Sequence, residues 1–175
     1  MTIFQAVLGL VAVQRCGELL LTRANTARLL RQGAVEIDRG GYKWLVLLHA
    51  SWLATLAVMV PAATAPQWPL LAVFILLQGG RIWVIATLGR RWTTRLIVPP
   101  GTPPVSSGPY RWLNHPNYLV VTGEIAILPL AFDAVAIAVG FSACNALLLA
   151  RRIRLEQAAL GLPSYHKRET LPRRS

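Results

Sequence analysis

Apolar runs long enough to cross a bilayer alternate with short basic tracts along this chain. Residues 3–22 (IFQAVLGLVAVQRCGELLLT), 44–63 (WLVLLHASWLATLAVMVPAA) and 69–88 (PLLAVFILLQGGRIWVIATL) have the length of a spanning helix, about 20 residues at ~1.5 Å each. A further apolar stretch, 117–150, is interrupted by Pro129 and Asp133. It predicts a tight hairpin with arms at 119–131 and 134–150, each short for a ~30 Å hydrocarbon core. The second arm is expected to run on past the membrane as RRIRLEQAAL, until Gly161 and Pro163 stop it. Between the first two spans, residues 23–43 read as a polar loop with a short amphipathic helix, broken at Gly33, Gly40 and Gly41. The pattern predicts an all-α integral membrane bundle of five transmembrane helices in a single domain, 1–175. Its parts are three N-terminal spans (1–88), a loop (89–118), and a hairpin with a C-terminal helix (119–175).

The loop, GRRWTTRLIVPPGTPPVSSGPYRWLNHPNY, is the longest stretch that cannot be a simple apolar helix. Five prolines between Pro99 and Pro109, with Gly101 and Gly108, oppose regular structure. Trp92, Tyr110, Trp112, His115 and Tyr118 make it too aromatic for a plain disordered linker. It is the expected active-site segment.

Composition agrees with the membrane reading. The chain is 54% apolar and 14% charged, with mean hydropathy +0.48. Its net charge of +11 would suit a nucleic-acid binder, but the placement of the charges argues for topology instead. With the N-terminus outside, the inner segments 23–43, 89–117 and 151–175 hold every Lys and Arg except Arg15 and Arg81, which lie within spans. The outer turns near 64–68 and 132–133 hold none. This is the positive-inside pattern. It accounts for the charge through membrane lipids as partners and makes nucleic acid unnecessary. No cleavable signal peptide is expected, because the first apolar run lacks a basic lead and carries Arg15 and Glu18.

Charged residues inside spans demand partners. Arg15 and Glu18 are three apart and can pair on one helix face, as an interhelical clamp or as a functional pair. Arg81 needs a carboxylate, for which Glu18 and Glu124 are the candidates. His49 is expected to hydrogen-bond a neighbouring helix rather than face a pocket. Cys16 and Cys144 lie in apolar runs and are expected to be small buried hydrophobes. His49, His115 and His166 lack metal-ligand spacing, and neither GxSxG nor a strand-borne GxGxxG occurs. What remains is a polar layer made of the loop, Arg152 and Glu156, which are four apart on one helix face. Such a layer over an apolar bundle suits a polar ligand above and a lipophilic one entering sideways below.

SSGPYRWLNHPNYLVV resembles the central signature of the isoprenylcysteine carboxyl methyltransferase family, a GPY segment followed by RHPxY. RRIRLEQAAL resembles its second signature, an Arg followed four residues later by Glu. The similarity covers about residues 75–170. The first third, with Arg15, Glu18, Asn25, Gly33, Ala34, Glu36, Tyr42 and His49, is similar to a bacterial branch that accompanies type III polyketide synthases and methylates alkylpyrones or alkylresorcinols. That branch leads one to expect a His before Tyr42, where this chain has Gly41. The resemblance implies an S-adenosylmethionine-dependent O-methyltransferase in a bacterial inner membrane, its active site facing the cytosol. Thr102, Pro103, Pro104, Val105, Tyr110, His115, Pro116, Asn117, Tyr118 and Glu156 match cofactor positions. Arg152 matches the residue at the acceptor's reacting group, and Asn114, standing where the signature has Arg, joins it as a substrate contact. His115, Arg152 and Glu156 are thereby the candidate catalytic residues. The implied acceptor is an alkylpyrone or alkylresorcinol or, less in keeping with the first third, a prenylated cysteine. A phospholipid N-methyltransferase and a non-catalytic membrane module on the same scaffold are the alternatives.

Overall fold

The computed structural model describes residues 1–98 and 105–159. Its helices are α1 (Ile3–Arg31), α2 (Arg39–Met59), α3 (Trp68–Leu88), α4 (Pro116–Leu130) and α5 (Val135–Ala159). Two 3-10 turns lie at Gly89–Arg91 and Gly108–Arg111, and β1 (Val35–Glu36) pairs antiparallel with β2 (Ile97–Val98). The architecture is an all-α membrane bundle.

Local signals set the helix ends. α1 starts in a capping box: the Gln5 N–H donates to Thr2 Oγ1 (3.3 Å) and the Thr2 N–H to Gln5 Oε1 (3.1 Å). It does not stop at the first basic residues. The predicted loop from residue 23 is wrong as far as Arg31, because α1 continues with Thr22, Asn25, Thr26 and Leu29 buried on one face. The turn comes at Gly33, whose φ of 87° is cheap only for glycine. Gly40 and Gly41, predicted as breakers, instead lie in the first turn of α2. Asp38 caps that turn by accepting from the Gly41 N–H at 3.0 Å. α4 begins with Pro116 in its first turn, where the missing N–H costs nothing.

Among the described residues four helices are long and apolar enough to cross a membrane, and α4 is the short exception. Its 15 residues reach roughly 22 Å. α4 tolerates this because it is the inner helix, packed between α3 and α5 and burying Val120, Val121, Glu124, Ile125 and Leu128. A Cβ on Gly123 would lie 2.8 Å from Leu77 Cδ1, so the glycine sets the close approach of α3 and α4. α5 has 25 residues, roughly 37 Å, and carries Arg152 and Glu156 beyond the apolar core as expected. At the opposite end Phe4 packs edge-on against Phe132 (4.9 Å between centroids), and the Gln67 N–H donates to the Ala131 carbonyl (2.8 Å).

Within the bundle, Arg81 finds both of its predicted partners. Its Nη2 donates to Glu18 Oε2 (2.5 Å), its Nε to Glu18 Oε1, and its Nη1 to Glu124 Oε2 (3.1 Å). Arg15 closes the ring, with Nη1 to Glu18 Oε2 (2.9 Å) and Nη2 to Glu124 Oε2 (2.6 Å). Gln14 donates to Glu18 and Gln78 to Glu124. Two cations and two anions thus cancel across α1, α3 and α4. This neutrality is what makes charge tolerable at that depth. His49 departs from expectation: its Nδ1 pairs with the Leu45 carbonyl of its own helix at 2.8 Å. Cys16 and Cys144 are exposed rather than buried, since their faces of α1 and α5 point away from the bundle, where lipid replaces protein as the apolar neighbour.

Candidate functional site

The C-terminal ends of α1, α3 and α5 meet the N-terminal ends of α2 and α4 at one polar end of the bundle. There the Gly108–Arg111 turn packs on the end of α3. Gly108 has φ 55°, and a Cβ would lie 2.4 Å from Thr87 Oγ1, so the first residue of GPY must be glycine. The turn holds Tyr110 half-buried. Burial, reinforced by the negative charge of Glu156, pushes its phenol up to about 12. Tyr110 is therefore a neutral hydrogen-bonding group at neutral pH.

His115 stands at the N-cap of α4 and stacks on Tyr118, with ring centroids 5.2 Å apart and planes at 13°. The Tyr118 hydroxyl donates to Glu156 Oε2 (2.6 Å) and accepts from Arg152 Nε (2.9 Å). His115 Nδ1 lies 3.6 Å from the same Glu156 oxygen. Arg152 and Glu156 share a face of α5 as predicted, yet they form no direct ion pair; the Tyr118 hydroxyl stands between them. Arg152 is only 6% exposed. Among the described residues its guanidinium is held through Nε alone, which leaves both Nη groups to a ligand.

Asn117 Oδ1 is buried without a hydrogen-bond partner among the described residues, a costly arrangement unless something donates to it. Pro116 is buried, Val105 half-buried and Asn114 exposed. Trp112 is 69% exposed and tilts against Trp83 at 5.9 Å, which suits an interfacial ring. The structure therefore gathers Tyr110, His115, Asn117, Tyr118, Arg152 and Glu156 at one end of the bundle. Thr102, Pro103 and Pro104 lie outside the described residues.

The sequence profile of the isoprenylcysteine carboxyl methyltransferase (ICMT) family matches residues 70–161. An uncharacterized protein of Bacillus subtilis (strain 168), YpbQ, is 35% identical over 161 residues, covering 90% of this chain and 96% of that relative. The chain belongs to the isoprenylcysteine carboxyl methyltransferase family. Membership implies a membrane methyltransferase. No solved structure matches the chain. The YpbQ coverage must include most of residues 1–69, which the family profile leaves out.

Those first residues hold what sequence reasoning missed. Asn25, Glu36 and Tyr42 stood out only by resemblance, and Thr22 and Asp38 not at all; the structure gives all five partners at the polar end. A signal was present in α1. Glu18, Thr22, Asn25 and Leu29 follow helical spacing and form its buried stripe, and three of the four are polar.

Proposed function

We propose that this ICMT-family protein is an S-adenosylmethionine-dependent O-methyltransferase acting on a lipophilic acceptor at the cytosolic face of a bacterial inner membrane. The observation that carries the reading is the convergence of His115, Tyr118, Arg152 and Glu156 from α4 and α5. Their chemistry fits the cofactor: stacked aromatic faces beside a carboxylate suit a cation. The unpartnered Asn117 Oδ1 offers an acceptor for an amino group. S-adenosylmethionine, when bound, supplies an electrophilic methyl group for transfer to oxygen.

The chain's own residues then have distinct tasks. Glu156, Tyr110, Asn117 and the 115–118 segment bind and orient the cofactor, and the family resemblance adds Thr102 to Val105 to that set. Arg152, buried and fixed through Nε by Tyr118, presents its Nη groups to an anionic oxygen of the acceptor. Asn114, beside the turn into α4, joins it at the acceptor. A carboxylate or an acidic pyrone enol is already ionised near neutral pH, so alignment and exclusion of water do most of the work. For a phenol, His115 Nδ1, beside Glu156, is placed to accept the proton.

An alkylpyrone or alkylresorcinol fits this reading better than a prenylated cysteine. A functional link to a type III polyketide synthase would follow. The test is purified protein in detergent with methyl-labelled S-adenosylmethionine and three acceptors: an alkylpyrone, an alkylresorcinol and a farnesylcysteine analogue. Label is expected in one acceptor and lost in Glu156→Ala. Folded protein that neither binds the cofactor nor transfers the methyl group would overturn the reading.

A further inference from the structure

Residues 22–42 hold the segment 89–98, which follows α3, through contacts to positions 89, 90, 92 and 94–98. Asn25 Nδ2 donates to the carbonyls of Trp92 (2.8 Å) and Gly89 (3.3 Å), and Arg28 donates to that of Arg90. Thr22 Oγ1 accepts from the Thr94 N–H (3.2 Å), and Tyr42 takes the Thr94 hydroxyl at 3.1 Å. Arg95 lies over the Tyr42 ring (4.8 Å) and donates to both oxygens of Glu36 (3.0 and 3.2 Å). The Ile37 N–H reaches the Leu96 carbonyl, and β1 pairs with β2 to finish the seam. Trp92 and Leu96 are buried beneath it.

The same region holds the opposite wall. Arg151 forks onto Asp38, Nη1 to Oδ2 at 2.7 Å and Nη2 to Oδ1 at 3.0 Å. Arg151 is the immediate neighbour of Arg152, so this fork fixes the end of α5 that carries Arg152 and Glu156. It needs Gly41: a Cβ there would stand 2.3 Å from Arg151 Nη1 and 2.0 Å from Asp38 Oδ2. Any side chain at position 41, including the His expected by resemblance, would displace the fork.

We infer that residues 22–42 are a positioning clamp, with Asn25 holding the 89–98 segment and Asp38 holding the site-bearing end of α5. The inference rests on the proposed cofactor site for its functional half only. Among the described residues they make no hydrogen bond or ion pair to a site side chain; they act through the 89–98 segment and through Arg151, and the Asp38 charge also reaches Arg152 electrostatically. Most of these contacts come from outside the family profile's match, so the clamp is an addition to the shared core.

Two variants of the full-length protein in detergent test it. Asn25→Ala deletes the two donated bonds. Asp38→Asn keeps an N-capping side chain while removing the charge that Arg151 needs. Amide hydrogen exchange should rise by roughly three- to tenfold at 92–98 in Asn25→Ala and near Arg152 in Asp38→Asn. S-adenosylmethionine dissociation constants should weaken by a similar factor, and Asp38→Asn combined with Arg151→Lys should not weaken further. Unchanged exchange in both variants would overturn the clamp. Raised exchange with unaltered cofactor affinity would overturn its positioning role. If the wild type itself binds no S-adenosylmethionine, the functional reading fails while the exchange result still decides the mechanical half.

Discussion

Two clusters in this protein are built from the same residue types and do opposite things. In the bundle, Arg15 and Arg81 face Glu18 and Glu124, and every carboxylate oxygen accepts at least one hydrogen bond. At the polar end, Arg152 uses one nitrogen, and Glu156 shares a single oxygen between Tyr118 and the neighbourhood of His115. The first cluster is neutral and all four of its carboxylate oxygens are taken; Arg15 Nε and the Gln78 amide oxygen are the buried atoms of its hydrogen-bonding groups left without a partner among the described residues. In the second, neither Nη group of Arg152 nor Glu156 Oε1 has a hydrogen bond among the described residues, and that surplus is what the proposed cofactor and acceptor would use. Arg and Glu identities alone do not separate a clamp from a pocket; the bookkeeping of their donors and acceptors does.

The largest effect that can break this comparison is in the closed cluster. Glu124→Leu leaves Arg15 and Arg81 with one carboxylate between them, in a place 1% exposed for Glu124 and 4% for Arg81. Removing one partner of a buried ion pair costs about 3–5 kcal/mol. The unfolding midpoint in detergent should fall accordingly. The paired change Glu124→Leu with Arg15→Leu should recover part of the loss, because it restores neutrality. No fall in the single variant would mean the cluster is solvated and the contrast false.

The open cluster should respond in function instead. Tyr118→Phe keeps the ring stacked on His115 and removes the hydroxyl that joins Arg152 to Glu156. Losing hydrogen bonds to charged groups costs about 1.5–3 kcal/mol, which predicts transfer slowed by roughly ten- to a hundredfold. The unfolding midpoint should move less than in Glu124→Leu. Transfer rates and midpoints measured on the same preparations would separate the two kinds of cluster, and an equal stability loss in both variants would erase the distinction.

How much of this was legible beforehand follows from the range of the interactions. The five helices, the short arm of the hairpin and the extension of α5 could be read because apolar length and proline placement are local signals. Arg81's partners were readable too, since a buried cation needs a carboxylate and only Glu18 and Glu124 qualified. The Arg152–Glu156 spacing put both on one face, but the Tyr118 hydroxyl between them depends on how α4 meets α5. Polarity in residues 23–31 does not mean exposure: Thr22 and Asn25 hydrogen-bond the 89–98 segment, and Thr26 is buried on the same face of α1. Gly40 and Gly41 sit in a helical turn instead of breaking the chain, and the sequence does not show that Gly41 leaves room for Asp38 and Arg151.

The Asp38–Arg151 fork is a third arrangement of the same groups, and it gives the smallest predicted effect. Its arginine side chain is 50% exposed, so water and salt reach it as they cannot reach Arg81. The two hydrogen bonds from Arg151 hold the Asp38 carboxyl below its ordinary value near 3.8. Folding therefore favours the ionised form. The stabilisation is complete above the unfolded carboxyl's pKa and fades as pH falls through the lower folded one. The midpoint difference between the wild type and Asp38→Asn should be constant from about pH 7 to 5, then shrink below about pH 4. Salt near 1 M, where the screening length is about 3 Å, should shrink it at neutral pH as well. The penalty of Glu124→Leu should barely respond to that salt, because the closed ring is buried. A fork penalty insensitive to both acid and salt would place Asp38 and Arg151 in the same class as the buried ring and make the clamp on α5 a packing contact rather than an electrostatic one.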